Sequence, residues 1–356
     1  MDESVEFLVS VLCMTYNQAS YIEDAMNGFC MQQTTFPFLC LIADDASTDG
    51  ETEVIRKYLD TNFDKIENAL STEDETDEYL RIYARHKENK NCYFCVFLLK
   101  YNHYSIKKQK TKSAAELTKS VKYVAMCEGD DYWTDPKKLQ MQVDFLEKNS
   151  DFSLCFHNVK VWNQKEGEME DDFITRDVPA VTDISDLIKG NYIHTQSVLL
   201  RRYENVPSDQ RRLGYSKIGD FPKWVLCAQY GKIKKFEECM SVYRYGTGFW
   251  STKKDDVNKT LEIIDVYENF YKYFSLKDIA KRDSYFDVNN LIVDIKKILA
   301  GLYSKVSKEY MNVDHKLYRK YYLKAIRIYP HKIRNIKEYL ADYVFPVMYS
   351  KVKKER

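Results

Sequence analysis

Residues 121–133 read VKYVAMCEGDDYW, a strand-like apolar run that ends in three carboxylates within four positions. A short apolar run bounded by polar residues suits a strand buried in a sheet. A helix over 137–148 follows, with Leu139, Val143 and Leu146 at helical spacing, so the acids fall between a strand end and a helix. The same order occurs upstream. FLVSVLCMTYN (7–17) reads as a buried strand, after which Ser20 and Glu23 make a capping box for a helix with Ile22, Ala25, Met26 and Phe29 on one face. FLCLIADD (38–45) is a second strand ending in Asp44 and Asp45, followed by the turn-prone ASTDG and a helix carrying Val54, Ile55, Tyr58 and Leu59. The polar, acidic stretch around 71–90 is assigned no element, CYFCVFLL (92–99) is a third strand, and FSLCFHNVKVW (152–162) a further one. Strands alternating with helices predict an α/β fold with a mainly parallel, doubly wound sheet flanked by helices. In such sheets ligands lie at the carboxyl ends of the strands, where both acid groups fall.

At 356 residues and 44% hydrophobic content the chain can fill a large core, with room for an appendage beyond it. Lysine plus arginine and aspartate plus glutamate both number 54, yet residues 316–356 hold 12 basic against 3 acidic residues, a basic tail on an acidic body. Nine scattered cysteines fit buried small hydrophobes in a reducing compartment, and Cys92-x-x-Cys95, alone inside a strand, reads as core rather than zinc site. The acidic start and the lack of an apolar run near the ~20 residues that span a bilayer predict a cytoplasmic protein.

Carboxylates crowded at one sheet edge repel unless a cation or donor groups fill the gap. Mg²⁺ or Mn²⁺ takes one or two carboxylates and leaves its other positions to water and substrate phosphates, so a nucleoside diphosphate suits this edge. There is no Gly-x-Gly-x-x-Gly after the first strand and no Walker-type Gly-Lys-Ser/Thr. A glycine-cradled phosphate is therefore not expected, and the metal has to neutralise the phosphates.

VSVLCMTYNQASYIEDAM (9–26), LIADDASTDGET (41–52), AMCEGDDYWTDPKKLQMQVDFLE (125–147) and YRYGTGFWS (243–251) together resemble the family 2 glycosyltransferases in order and spacing, over about residues 5–251. The resemblance implies a GT-A fold and inverting transfer of a sugar from a nucleotide donor. It implies two parts, a glycosyltransferase domain over 1–255, with a nucleotide-sugar half to about 135 and an acceptor half from 136, and a helical, basic and aromatic region over 256–356. It places Asp45, with Asp44 beside it, on the nucleotide base, usually uracil; a carboxylate accepting from an imide N–H is sound chemistry. Tyr16 resembles the residue flanking that base, and strand-end packing remains open for it. EGDD (128–131) corresponds to the family's Asp-x-Asp-Asp metal motif, which gives the cation to Asp130 and then Asp131. Glu128 stands where the family often has Asp, and its extra methylene shifts it toward the donor ribose or sugar; a turn capping the next helix is the plainer alternative.

The resemblance further implies a catalytic base near the start of a helix in the acceptor-facing half, and SKIGDFPKWVLCAQYG (216–231) puts Asp220 there. An N-cap aspartate is the bland alternative, and a helix N-terminus holds a carboxylate rigidly and favours its negative charge, so both roles are compatible. NYIHTQSVLLRR (191–202) resembles the segment entering the acceptor half, where His194, Thr195 and Ser197 could line the acceptor or donor-sugar pocket. YRYGTGFWS resembles a Tyr-Arg-x-His block whose histidine completes the metal's coordination; Gly246 stands in that position, so water or another side chain has to substitute. GTGFWS looks like a mobile loop that closes over the donor.

Past about residue 255 helical spacing takes over, with stripes Ile263, Tyr267, Phe270, Phe274 and Ile295, Ile298, Leu302, Val306. Residues 316–356 interleave basic and aromatic residues, which suits peripheral contact with an anionic membrane surface or a solvated face; nucleic acid is not expected, since no binding motif accompanies the charge. These readings lead to a metal-dependent glycosyltransferase using a UDP-hexose, with a glycan or glycolipid hydroxyl as acceptor. A binder of nucleotide sugars without turnover stays open through Gly246. A sugar nucleotidyltransferase needs a Gly-rich, basic loop after strand one, where this chain has TYNQASYIED.

Overall fold

The computed structural model describes residues 5–65, 73–106, 120–172, 178–248, 252, 255–280 and 285–330, which divide into two compact units. The first unit holds residues 1–184, 192–206 and 224–252 and contains the sheet. Its centre is four parallel strands in the order β7 (Tyr123–Met126), β1 (Val9–Thr15), β2 (Phe38–Asp44) and β6 (Cys92–Leu99). Both faces are apolar. Val9, Val11 and Cys13 join Phe38, Cys40, Ile42, Phe94 and Val96 on one face, while Leu39, Leu41, Ala43, Cys95 and Phe97 join on the other. Continuous apolar runs such as CYFCVFLL are what a sheet covered on both faces requires.

The first of these faces is covered by α1 (Ile22–Cys30), α2 (Glu51–Asn62) and α3 (Lys138–Lys148), through Ile22, Met26 and Phe29, Ile55 and Leu59, and Leu139, Val143 and Leu146. Each large apolar side chain buried this way contributes about 1.5–3 kcal/mol. The alternation read from the sequence therefore holds: a mixed α/β unit with a largely parallel central sheet. Antiparallel strands extend it on both sides, with β5 (Tyr79–His86) on β6, β12 (Leu199–Arg201) on β7 and on β9 (Phe152–Asn163), and the long β13 (Lys232–Tyr245) running parallel to β9.

Two local expectations fail. The Ser20–Glu23 capping box does not form: α1 begins at Ile22 with Tyr21 as N-cap and no side-chain cap, while the Gln18 carbonyl accepts from the Tyr21 and Ile22 amides. The stretch around 71–90 contains β5, where Ile82, Tyr83 and Ala84 are buried between Arg81, which pairs with Asp74, and Arg85, which lies over the Tyr93 ring. Polar ends on a three-residue apolar centre gave no clear period in the sequence. No disulfide links the nine cysteines, and Cys92 and Cys95 are core residues, as their place in the strand predicts.

Lys138 is a buried amine inside this core. It is fully buried, with Nζ 2.7 Å from the Gln142 side-chain oxygen and 4.2 Å from the centre of the Trp133 ring. Burial pushes its ammonium down to about 7. A lysine with a depressed folded-state pKa binds fewer protons folded than unfolded, so its cost is full below pH 7 and fades as pH rises toward the ordinary lysine value. Lys138→Met should therefore stabilise the protein by roughly 2–3 kcal/mol more at pH 7 than at pH 9.5 in denaturant melts. An equal effect at both pH values would show that the amine is charged in the fold.

The second unit holds residues 185–191, 207–223 and 253–356. Its described helices include α7 (Asp256–Phe274), α9 (Val288–Tyr310) and α10 (His315–Ile328), begun by Asp255, Asp287 and Asp314, whose carboxylates each accept from a backbone N–H of the first turn. The buried stripes are Thr260, Ile264, Tyr267, Phe270, Phe274 and Leu291, Ile295, Leu299, Tyr303, Val306. Tyr267, Phe270, Phe274, Ile295 and Val306 are buried as the helical spacing predicts, while Ile263, Ile298 and Leu302 are half-buried and the neighbouring Ile264, Leu299 and Tyr303 take the core positions. Helix α10 buries Tyr318, Tyr322 and Ala325 and exposes Lys316, Arg319, Lys320 and Arg327. The rest of the basic tail, 331–356, lies outside the described residues, as do Phe249, Trp250 and Ser251 of the GTGFWS loop. Among the described residues no helix is long and apolar enough to cross a membrane.

Candidate active site

The parallel register brings the predicted acids to one edge. Thr15 at the end of β1 pairs with Asp44 at the end of β2, and on the other side Leu12 pairs with Met126, so the chain leaving β7 passes the same end of β1. The Cys127 amide donates to the Leu12 carbonyl and the Gly129 amide to that of Met14, which carries this segment along β1. Gly129 has no space for a side chain: a Cβ there would lie 2.3 Å from Thr15 Oγ1 and 2.6 Å from Gln18 Oε1. Glycine is what lets the acidic loop approach β1 this closely.

The loops after β1 and β2 are laced together. Glu51, the first residue of α2 and fully buried, accepts from the Thr15 hydroxyl, from the Gln18 amide at 2.9 Å and from the Ser47 hydroxyl at 2.8 Å. Burial raises its pKa, opposed by these donors. Asn17 Oδ1 accepts from the Thr48 amide, Ser47 Oγ from the Asn17 amide, and Asp49 from the Ala19 amide. Two non-glycine residues with positive φ, Asn17 at 54° and Ala46 at 61°, lie in these loops. Strain of order 1 kcal/mol at Ala46 persists where surrounding bonds over-determine the backbone, and it concentrates at functional edges.

Asp44 and Asp45 are both buried. Asp44 accepts from the Ser47 amide and the Thr52 hydroxyl; Asp45 accepts from the His103 amide at 2.7 Å and the Tyr104 amide at 3.2 Å. The structure thus ties Asp45 to the segment after β6. Tyr16 is 44% exposed at this edge.

The second acid group is arranged differently. Glu128 is exposed, while Asp130 and Asp131 are each only 3% exposed. Arg244, near the end of β13, joins the pair to its surroundings. Its backbone amide donates to Asp131 Oδ1 at 2.8 Å, and its guanidinium donates to the Asp130 carbonyl at 2.8 Å and to the Asp24 carboxylate of α1. The guanidinium also lies over the Tyr132 ring at 4.5 Å and the Tyr21 ring at 5.0 Å. Thr247 Oγ1 is 2.9 Å from Asp130 Oδ2. Burial raises the pKa of Asp130 against the Thr247 hydrogen bond and the Arg244 charge, and it raises Asp131 further, with the Asp130 charge adding to it. Two adjacent buried carboxylates resist ionising together, a condition that a cation relieves.

No group of three or more His, Cys, Asp or Glu side chains stands ready for a metal among the described residues. Two carboxylates beside a hydroxyl fit the lesser demand of Mg²⁺ or Mn²⁺, which fills its remaining positions with water and phosphate oxygens. Gly246 has φ +99°, a conformation a histidine would adopt only with strain, so the departure from the Tyr-Arg-x-His block is built into the backbone.

Elsewhere in the first unit, His194 Nε2 is 2.9 Å from Asp172 Oδ1 and its ring packs 5.1 Å from that of Tyr243. Thr195–Ser197 form a 3₁₀ turn in which the Ser197 hydroxyl donates to the His194 carbonyl. Asp220, half-buried, opens α6 (Asp220–Cys227) and belongs to the second unit, where the adjacent Phe221 meets Phe270 edge-on at 5.4 Å. No sequence pattern marks Asp24, Glu51, Asp172, Arg244 or Thr247 as site residues. Arg244 and Thr247 lie within the quoted YRYGTGFWS block, and their contacts reach back more than a hundred residues.

Residues 10–71 match the model of glycosyl transferase family 2. Uncharacterised proteins of Mycobacterium tuberculosis and Mycobacterium bovis are 31% identical over 258 residues, 71% of this chain and 64% of theirs. The chain therefore spans less than two thirds of their length. The putative teichuronic acid biosynthesis glycosyltransferase TuaG of Bacillus subtilis is 23% identical over 249 residues, 69% of this chain and 82% of that protein. Among solved structures, S. aureus TarS has the same fold at a TM-score of 0.52 and 14% identity, over 91% of this chain and 49% of TarS.

Proposed function

The chain belongs to glycosyl transferase family 2, and from that premise we propose that it transfers a hexose, with inversion, from a UDP-sugar to a sugar hydroxyl of a cell-surface polysaccharide or lipid-linked oligosaccharide. The observation that carries this reading is the convergence of Asp44, Asp45, Asp130 and Asp131 on the carboxyl edge beside β1, with Gly129 leaving no space between the acidic loop and Thr15. In this reading Asp44 and Asp45 form the wall that meets the base, with Tyr16 flanking it, and Glu128, exposed at the same edge, reaches the donor ribose or sugar.

Asp130 and Asp131 would hold Mg²⁺ or Mn²⁺, which when bound offsets the diphosphate charge and stabilises the departing nucleotide. Arg244 fixes the pair from behind by holding one oxygen of Asp131 and the Asp130 backbone. Asp220 is the base that takes the proton from the attacking hydroxyl. The TuaG likeness favours an acceptor in an envelope polymer.

A panel of UDP-, GDP- and dTDP-sugars, followed by release of the nucleoside diphosphate in the presence of envelope glycan extracts, tests this reading. Metal-dependent release from one uridine sugar, stimulated by acceptor, is the expected outcome. Donor binding with no release across the whole panel would favour a binder without turnover.

A further inference from the structure

The acid pair has a hydroxyl in direct contact. Thr247 Oγ1 is 2.9 Å from Asp130 Oδ2 and equally 2.9 Å from the Arg244 carbonyl oxygen. A hydroxyl has one hydrogen and donates to one of these oxygens at a time. When it donates to the Arg244 carbonyl, its lone pairs face the Asp130 carboxylate with no proton between them. A hard cation bound here would be held by the Asp130 carboxylate and the Thr247 hydroxyl, with the hydroxyl proton left on the carbonyl. Arg244 does not fill this place, because its guanidinium is occupied by the Asp24 carboxylate and the Asp130 carbonyl.

We propose that the Thr247 hydroxyl is a protein ligand of the donor-site divalent cation, together with Asp130, in the role that the resembling family block gives to a histidine at the position of Gly246. The proposal rests on the metal-dependent donor reading above. The backbone supports it from both sides: Gly246, at φ +99°, has a conformation that disfavours an L side chain, and the turn it makes brings the next residue's oxygen onto Asp130. The protein's ligand set is then oxygen only. Carboxylate, hydroxyl and phosphate oxygens suit Mg²⁺ and Mn²⁺, and without an imidazole the site has little to favour softer Zn²⁺ or Ni²⁺. A hydroxyl placed on Mg²⁺ beside nucleotide phosphates is a known arrangement in P-loop proteins, so the chemistry has precedent on another fold.

The test measures cation binding rather than turnover. Free Mn²⁺ is followed by electron paramagnetic resonance during titration into the full-length protein with saturating UDP, for wild type, Thr247→Ala, Thr247→Ser and Asp130→Asn. The expected result is a Mn²⁺ affinity at least tenfold weaker in Thr247→Ala and within about twofold of wild type in Thr247→Ser, where the hydroxyl is kept. Wild-type affinity in Thr247→Ala with loss in Asp130→Asn would remove Thr247 from the ligand set and leave the cation site standing. Wild-type affinity in Asp130→Asn as well would overturn the cation site itself and this proposal with it.

Discussion

Asp130→Asn is expected to abolish cation-dependent donor binding and to lower transfer by about 10³-fold, the scale seen when one preorganised electrostatic contact is removed from a transition state. The amide keeps the shape of the side chain, and its oxygen can still accept from Thr247, so the loop held by Gly129 and Arg244 should stay in place. Stability supplies the control. Burial raises the pKa of Asp130, so its charge is a cost to the folded protein without a cation. Removing the charge should leave the melting temperature unchanged or higher. A variant that lost donor binding and melted well below wild type would have lost its fold rather than its ligand.

Asp220→Asn should divide the reaction at a different point. Donor binding, with its metal dependence, should match wild type, while kcat falls by about 10²–10⁴-fold, the usual contribution of a positioned general base. The amide is close to isosteric with the carboxylate, so α6 is expected to persist. Transfer at the wild-type rate would remove Asp220 from the catalytic role and direct attention to the Asp172–His194 pair of the first unit.

These two substitutions differ in what the sequence could say about them. The strands β1, β2, β6 and β7 were legible because each is a continuous apolar run, and the convergence of Asp44, Asp45, Asp130 and Asp131 follows once those strands are parallel and adjacent. What the sequence hid were contacts across long separations. Arg244 reads as one basic residue on a strand, and only the pairing of β13 with β9 and with the short strand Tyr132–Trp133 carries it to Asp131 and Asp24. Glu51 reads as an ordinary first-turn acid, yet it ties the loops after β1 and β2 together. The resemblance implies that Asp45 meets the nucleotide base, and nothing in FLCLIADD announces its two backbone donors at His103 and Tyr104.

Local signals also misled where tertiary bonds compete with them. Ser20 and Glu23 have capping-box spacing, but the Gln18 carbonyl takes the first amides of α1 and Asp49 holds the Ala19 amide, so the serine cap has no role. The absence of histidine at Gly246 was visible in the sequence. That Thr247 brings an oxygen to Asp130 depends on the positive φ of Gly246, which no residue pattern announces.

In the proposed donor site a divalent cation held by Asp130 and Asp131 would also bind the nucleoside diphosphate. Calorimetric titration of UDP into the wild-type protein, once with Mn²⁺ and once with a chelator, tests it most directly. Binding should be at least tenfold tighter with Mn²⁺, a difference of about 1.4 kcal/mol or more. Equal affinity under the two conditions would contradict it.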